Sequence, residues 1–110
     1  MNSKYGSLSS TQIHAIKLSI RKSIFFLLLY VDPNTKHEYP NIDVGEAFRS
    51  IQYRLNGLNS ILLKSPEIIG TMSLLETAFN EYRSEDFDFK KYRKLILDAG
   101  SEIMRTKEVD

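Results

Sequence analysis

Apolar residues recur along this chain at steps of three and four, in four separate runs. The first joins Ile13, Ile16, Ile20, Ile24, Leu27 and Val31. Ser9 with Gln12 three residues on makes a capping box ahead of it, and Leu8 is placed to pack on Ile13 as a hydrophobic staple. Pro33 pushes Asp32 out of the helical region, so the pattern predicts a helix from Ser9 or Ser10 to Tyr30 or Val31. A strand over 24–31 is the alternative, since Phe, Ile, Tyr and Val all suit strands, but the helical stripe continues through it without a breaker.

The segment from Asp32 to Asn41 has two prolines and no apolar period, and is the longest connection. A second helix starts at Asn41 or Asp43, where Asp43 and Glu46 suit a capping box, and its stripe is Val44, Phe48, Ile51, Leu55, Leu58 and Leu62. Asn56-Gly57 has the composition of a turn, yet the stripe keeps its phase across it, which predicts one uninterrupted helix carrying a glycine cost of about 1 kcal/mol. Ser65-Pro66-Glu67 opens the third helix with a capping hydroxyl, a proline where no N–H is missed and an acid at the positive helix end. Its stripe is Ile68, Met72, Leu75, Phe79 and Tyr82. Asp88 caps the fourth helix while Phe87 staples onto Tyr92, and Phe89, Tyr92, Ile96, Ala99 and Ile103 form the last stripe.

Four amphipathic helices of about 17 to 24 residues imply an all-α, four-helix antiparallel bundle and a single domain. Residues 1–8 read as a flexible N-terminal arm, 9–106 as the bundle and 107–110 as a charged tail. Short links make the second, third and fourth helices antiparallel neighbours, whereas the roughly ten-residue first link leaves the placement of the first helix open. Ile20, Leu27, Phe48, Ile51, Leu55, Met72, Leu75, Phe79, Tyr92 and Ile96 are the expected core.

The first helix carries more apolar surface than one stripe needs. Leu18, Phe25, Phe26, Leu28 and Leu29 lie off the core stripe, so from Ile24 onward the helix is apolar on every side. Either it is central, wrapped by the other three helices and the long loop, or Phe25, Phe26 and Leu29 form a partner-binding face. A closed homodimer is the expected use of such a face, because one patch then satisfies both copies.

Composition narrows the chemistry. With 110 residues, 42% hydrophobic, the chain is long enough to bury about two-thirds of its extended surface without staples. It contains no cysteine, which removes disulfides, thiolate metal sites and thiol catalysis, and fits a cytoplasmic protein. The net charge of +1 provides no global field for nucleic acid or an anionic membrane. The eight-residue run Ile24 to Val31 is far short of the roughly 20 needed to span a bilayer, and Asp32-Pro33-Asn34 after it is no signal-peptide cleavage site.

His14-Ala15-Ile16-Lys17 resembles the His-x-x-Lys core of histidine phosphotransfer domains, four-helix bundles that relay phosphate through an exposed imidazole. The resemblance implies a phosphoryl group on His14 steadied by Lys17, with Arg21 one turn further on. That family usually follows the Lys with Gly, and here Leu18 stands there. Lys90, Lys91, Arg93 and Lys94 are a basic group able to bind an anion, or nucleic acid, at the start of the fourth helix. Glu81, Glu85, Asp86 and Asp88 match those four cations in number. They are also the one acidic group dense enough to consider for a hard cation; the two histidines make no ligand set. Tyr82 and Asp86 have a Tyr-x-x-x-Asp spacing similar to that of helical-hairpin substrates of type VII secretion, without their Trp-x-Gly turn. The sequence thus points to a non-enzymatic protein-interaction module of the small regulatory, accessory or immunity kind. It implies no cofactor, metal, membrane or small-molecule substrate. A His14 phosphotransfer protein and a nucleic-acid binder are the alternatives.

Overall fold

A computed structural model describes residues 9–62 and 64–106, together with the backbone of 2–3 and 6–7. Four helices form where the periodicity places them: α1 (Ser10–Leu29), α2 (Val44–Ile61), α3 (Pro66–Tyr82) and α4 (Phe89–Met104). Residues 107–110, expected as a charged tail, lie outside the described residues, as does Leu8, the proposed staple. Within the expected arm, Asn2–Ser3 pairs antiparallel with Gly6–Ser7.

Each helix starts on the residue whose side chain replaces a missing backbone partner. Ser9 Oγ accepts from the Gln12 N–H at 3.1 Å and the Gln12 side chain accepts from the Ser9 N–H at 2.9 Å, which completes the expected box. Asp43 accepts from the Glu46 N–H at 3.0 Å, but the Glu46 carboxylate turns outward to Arg49 at 2.6 Å, leaving that box half made. Ser65 and Asp88 cap α3 and α4 by accepting from Ile68 and Lys90. Phe87 meets Tyr92 with ring centroids 5.7 Å apart, the anticipated staple. The Asn56-Gly57 pair lies inside α2, and the run 24–29 is helical.

The helices close into a ring in which α1 packs on α2 and α4, and α3 on the same two. Every neighbouring pair is antiparallel. Ser19 and Ser23 of α1 meet Arg54 of α2, and Gly57 and Ile61 lie beside Ala15. The start of α2 meets the end of α3 through Phe48 and Phe79, 5.0 Å between centroids, while Tyr82 at the end of α3 lies 6.3 Å from Tyr92 at the start of α4. The position of α1, open in the sequence, is therefore between α2 and α4.

Eight of the ten expected core residues are buried; Met72 and Phe79 are only half-buried. In α3 the buried line is Ile68, Thr71, Leu75 and Ala78. Small Thr71 and Ala78 occupy the centre, and the larger Met72 and Phe79 sit on the flank. Close approach of two helix backbones favours small side chains at the contact, so volume as well as hydropathy set the rotation of α3.

Two helix ends are closed by side chains from the opposite helix. Leu27 lies in the last turn of α1, and the Val31 N–H that would reach its carbonyl bonds Leu28 instead. The buried Tyr92 hydroxyl donates to Leu27 O at 2.6 Å. At the other end of the same pair, Lys17 Nζ donates to the carbonyls of Met104 and Thr106 at the end of α4. A cation there complements the negative end of the helix dipole. α1 and α4 thus clasp each other's C-termini.

Candidate interaction site

The five apolar residues that exceeded the first stripe separate into three environments. Leu28 is core. Phe26 is half-buried in an aromatic cluster with Tyr30 (5.9 Å) and Tyr39 (6.2 Å), the latter supplied by the long α1–α2 connection. That connection, which has one short 3₁₀ turn at Lys36–Glu38, is tied back by Thr35 Oγ1 donating to Leu29 O at 2.6 Å. Phe26, expected on the partner face, is thereby largely used within the chain, and Leu29 is half-buried beside it. Phe25 and Leu18 remain outside, 48% and 38% exposed.

These two do not stand alone. Ala15, Leu18, Lys22, Phe25 and Leu29 follow one another at steps of three, four, three and four, the spacing of a coiled-coil seam. The first four are exposed, so α1 has a second seam opposite its buried one. A groove runs along each side of it. On the α4 side a groove of 810 Å³ is floored by Ile24, Ile96 and Gly100 and rimmed by Phe25, Leu97 and Met104. Gly100 is buried in this floor, and an added Cβ there would meet only Arg21 Cγ, at an ordinary 3.7 Å. On the α2 side a groove of 490 Å³ runs between Ala15, Ser19 and Gly57.

The electrostatics of the α4-side groove have one sign. Arg21 and Lys22 line it, no acid does, and neither cation forms an ion pair among the described residues. Leu97, exposed by 38%, is the residue that pattern reading missed. Its signal was an apolar position directly after the stripe residue Ile96, which places it on the flank of the core face.

The other candidates separate. His14 is exposed on α1 but Lys17, its supposed partner, is 1% exposed and directed into the end of α4. Lys17 occupies the core line between Ile13 and Ile20, so the geometry does not bring an ammonium over the His14 ring. Lys90, Lys91, Arg93 and Lys94 are all exposed; Lys94 pairs with Asp98 at 2.8 Å, within its own helix rather than with the upstream acids. Two of those acids serve the backbone: Glu81 accepts from the Asp88 N–H and Asp88 from the Lys90 N–H. Among the described residues no three His, Asp or Glu side chains gather as a metal site. Tyr82 is the last residue of α3 and Asp86 lies in the following turn, so one helix does not carry both. No helix among the described residues is long and apolar enough to cross a membrane. No protein-family model, curated protein or solved structure matches this chain, and the functional reading rests on its own geometry.

Proposed function

We propose that this protein is a non-enzymatic interaction module that holds a protein partner on the outward face of α1, along its border with α4. One observation carries the reading: exposed Leu18, Phe25 and Leu97 converge beside a preformed groove on a bundle whose core is already complete without them. Full burial of a large apolar side chain is worth about 1.5–3 kcal/mol, of which these three, 38–48% exposed, forgo roughly half, and clustering them at one groove suits a binding face. The surrounding clasps and caps hold α1 in place, so a partner meets a surface that needs little ordering. The cytoplasm is the compartment this reading assigns, since a chain without cysteine loses nothing under reducing conditions.

A photoreactive amino acid installed at Phe25 tests this in the cells that make the protein, with the same probe at Tyr53, 82% exposed on α2, as control. The expected result is one protein adduct from position 25, mapped to a single partner segment, and none from position 53. Adducts from both positions alike, or from neither, refute the assignment of the face.

A further inference from the structure

The geometry points to an acidic amphipathic helix as the partner element, laid along the outward seam of α1; this rests on the interaction-module reading above. A seam of alternating three- and four-residue steps matches the knobs of another helix and suits neither an extended strand nor an irregular loop. From Ala15 to Leu29 it is about 21 Å long, so four turns of a partner helix cover it. The grooves on its two sides receive the flanking side chains of that helix.

Charge selects among helices. Lys22 is the middle position of the seam and Arg21 is beside it, with no acid among the described residues lining the α4-side groove. A partner with Glu or Asp next to its apolar seam places a carboxylate against these cations, whose attraction grows as water is excluded. A second copy of this chain does the reverse. In any symmetric pairing centred on the seam, parallel or antiparallel, the central Lys22 faces its own copy, and like charges oppose the contact.

The test uses two synthetic helical peptides of about 21 residues with Leu at a and d, one with Glu at the flanking positions and its twin with Lys there. Fluorescence anisotropy against the full chain should show the acidic peptide bound about tenfold or more tighter than the basic one, with affinity falling as salt rises. Phe25→Ser should weaken the acidic peptide at least about tenfold, and Arg21→Glu with Lys22→Glu should reverse the preference, all variants keeping wild-type circular dichroism. Equal affinity for the two peptides, or none for the acidic one, overturns the proposal even where the Phe25 adduct forms. A dimer in sedimentation velocity that Phe25→Ser dissociates also overturns it, by giving the seam to a second copy.

Discussion

Removing one oxygen from Tyr92 isolates the hydroxyl that closes the end of α1. Tyr92→Phe keeps the ring, and with it the contacts to Phe48 at 6.4 Å and Phe87 at 5.7 Å, but removes the donor to Leu27 O. A hydrogen bond of this kind contributes about 1 kcal/mol net, but where deleting one partner leaves a buried carbonyl unpaired the loss becomes that group's desolvation penalty, about 1–3 kcal/mol. The second cost applies because the Val31 N–H is engaged at Leu28. The variant should be less stable by about 1–3 kcal/mol, a melting point lower by roughly 4–15 °C for a domain of this size. A pH signature makes the test specific. Burial, with a smaller effect from neighbouring Tyr82, pushes the Tyr92 phenol well above its ordinary value of 10.0. The raised folded-state value means that this stabilisation is whole below pH 10 and is lost as pH climbs above it, where only the unfolded phenol ionises. The wild type should lose about 1.4 kcal/mol per pH unit above 10 that the Phe variant keeps, so the gap between them narrows. Urea unfolding of both proteins at pH 8, 10 and 11 measures it; a gap unchanged across that range shows that Tyr92 does not ionise on unfolding and refutes its burial as described.

Lys17→Met, which keeps the volume, should cost about 2–3 kcal/mol by stripping the carbonyls of Met104 and Thr106 of their donor, with faster amide exchange confined to the last turn of α4. Gly57→Ala should stabilise by about 1 kcal/mol, because the site is mid-helix and an added Cβ meets nothing within 4 Å; a lower melting point contradicts the α2 packing. Phe48→Ala should cost about 3–5 kcal/mol and Phe79→Ala roughly half as much, since only the first is fully enclosed; equal costs would restore the sequence-based rotation of α3. Incubation of the chain with a small phosphodonor should leave His14 unlabelled, checked by mass spectrometry, given that Lys17 is engaged at α4.

The helix ends were legible because capping is local chemistry: Ser9, Asp43, Ser65 and Asp88 act on backbone within three residues of themselves. The stripes of α2 and α4 were legible because each has one apolar face opposed by charge. α3 misled by preferring size. Thr71 ranks low on hydropathy, yet its hydroxyl donates to Glu67 O at 2.8 Å inside its own helix, and so it enters the core with no polar group unsatisfied. Lys17 misled for the opposite reason. Its place on the stripe between Ile13 and Ile20 was visible, but its partners lie almost ninety residues away, at the end of α4. Only the closure of the ring brings the two together.

That same closure explains why the apolar surplus of α1 could not be apportioned from sequence. A helix packed between two neighbours buries a face of roughly half its circumference, and α1 has apolar residues on all of it past Ile24. Where α1 ends, the long connection bends back and spends Tyr39 on Phe26, so the surplus is absorbed locally. Phe25, about 100° round the helix from Phe26, and Leu18, two turns before Phe25 on the same face, are not covered by the connection and stay exposed between α4 and α2. If that division is right, Tyr39→Ala should uncover Phe26 and enlarge the apolar face without unfolding the bundle. The core side chains Ile24, Leu27 and Leu28 are buried on the other face of α1, and the expected loss is about 1–3 kcal/mol from the two ring pairs that Tyr39 makes with Phe26 and Tyr30. Binding of a hydrophobic dye should rise in the variant at unchanged helical circular dichroism. If the dye signal stays flat while the melting point falls, α1 has repacked and its outward seam is not fixed by the α2 and α4 contacts alone.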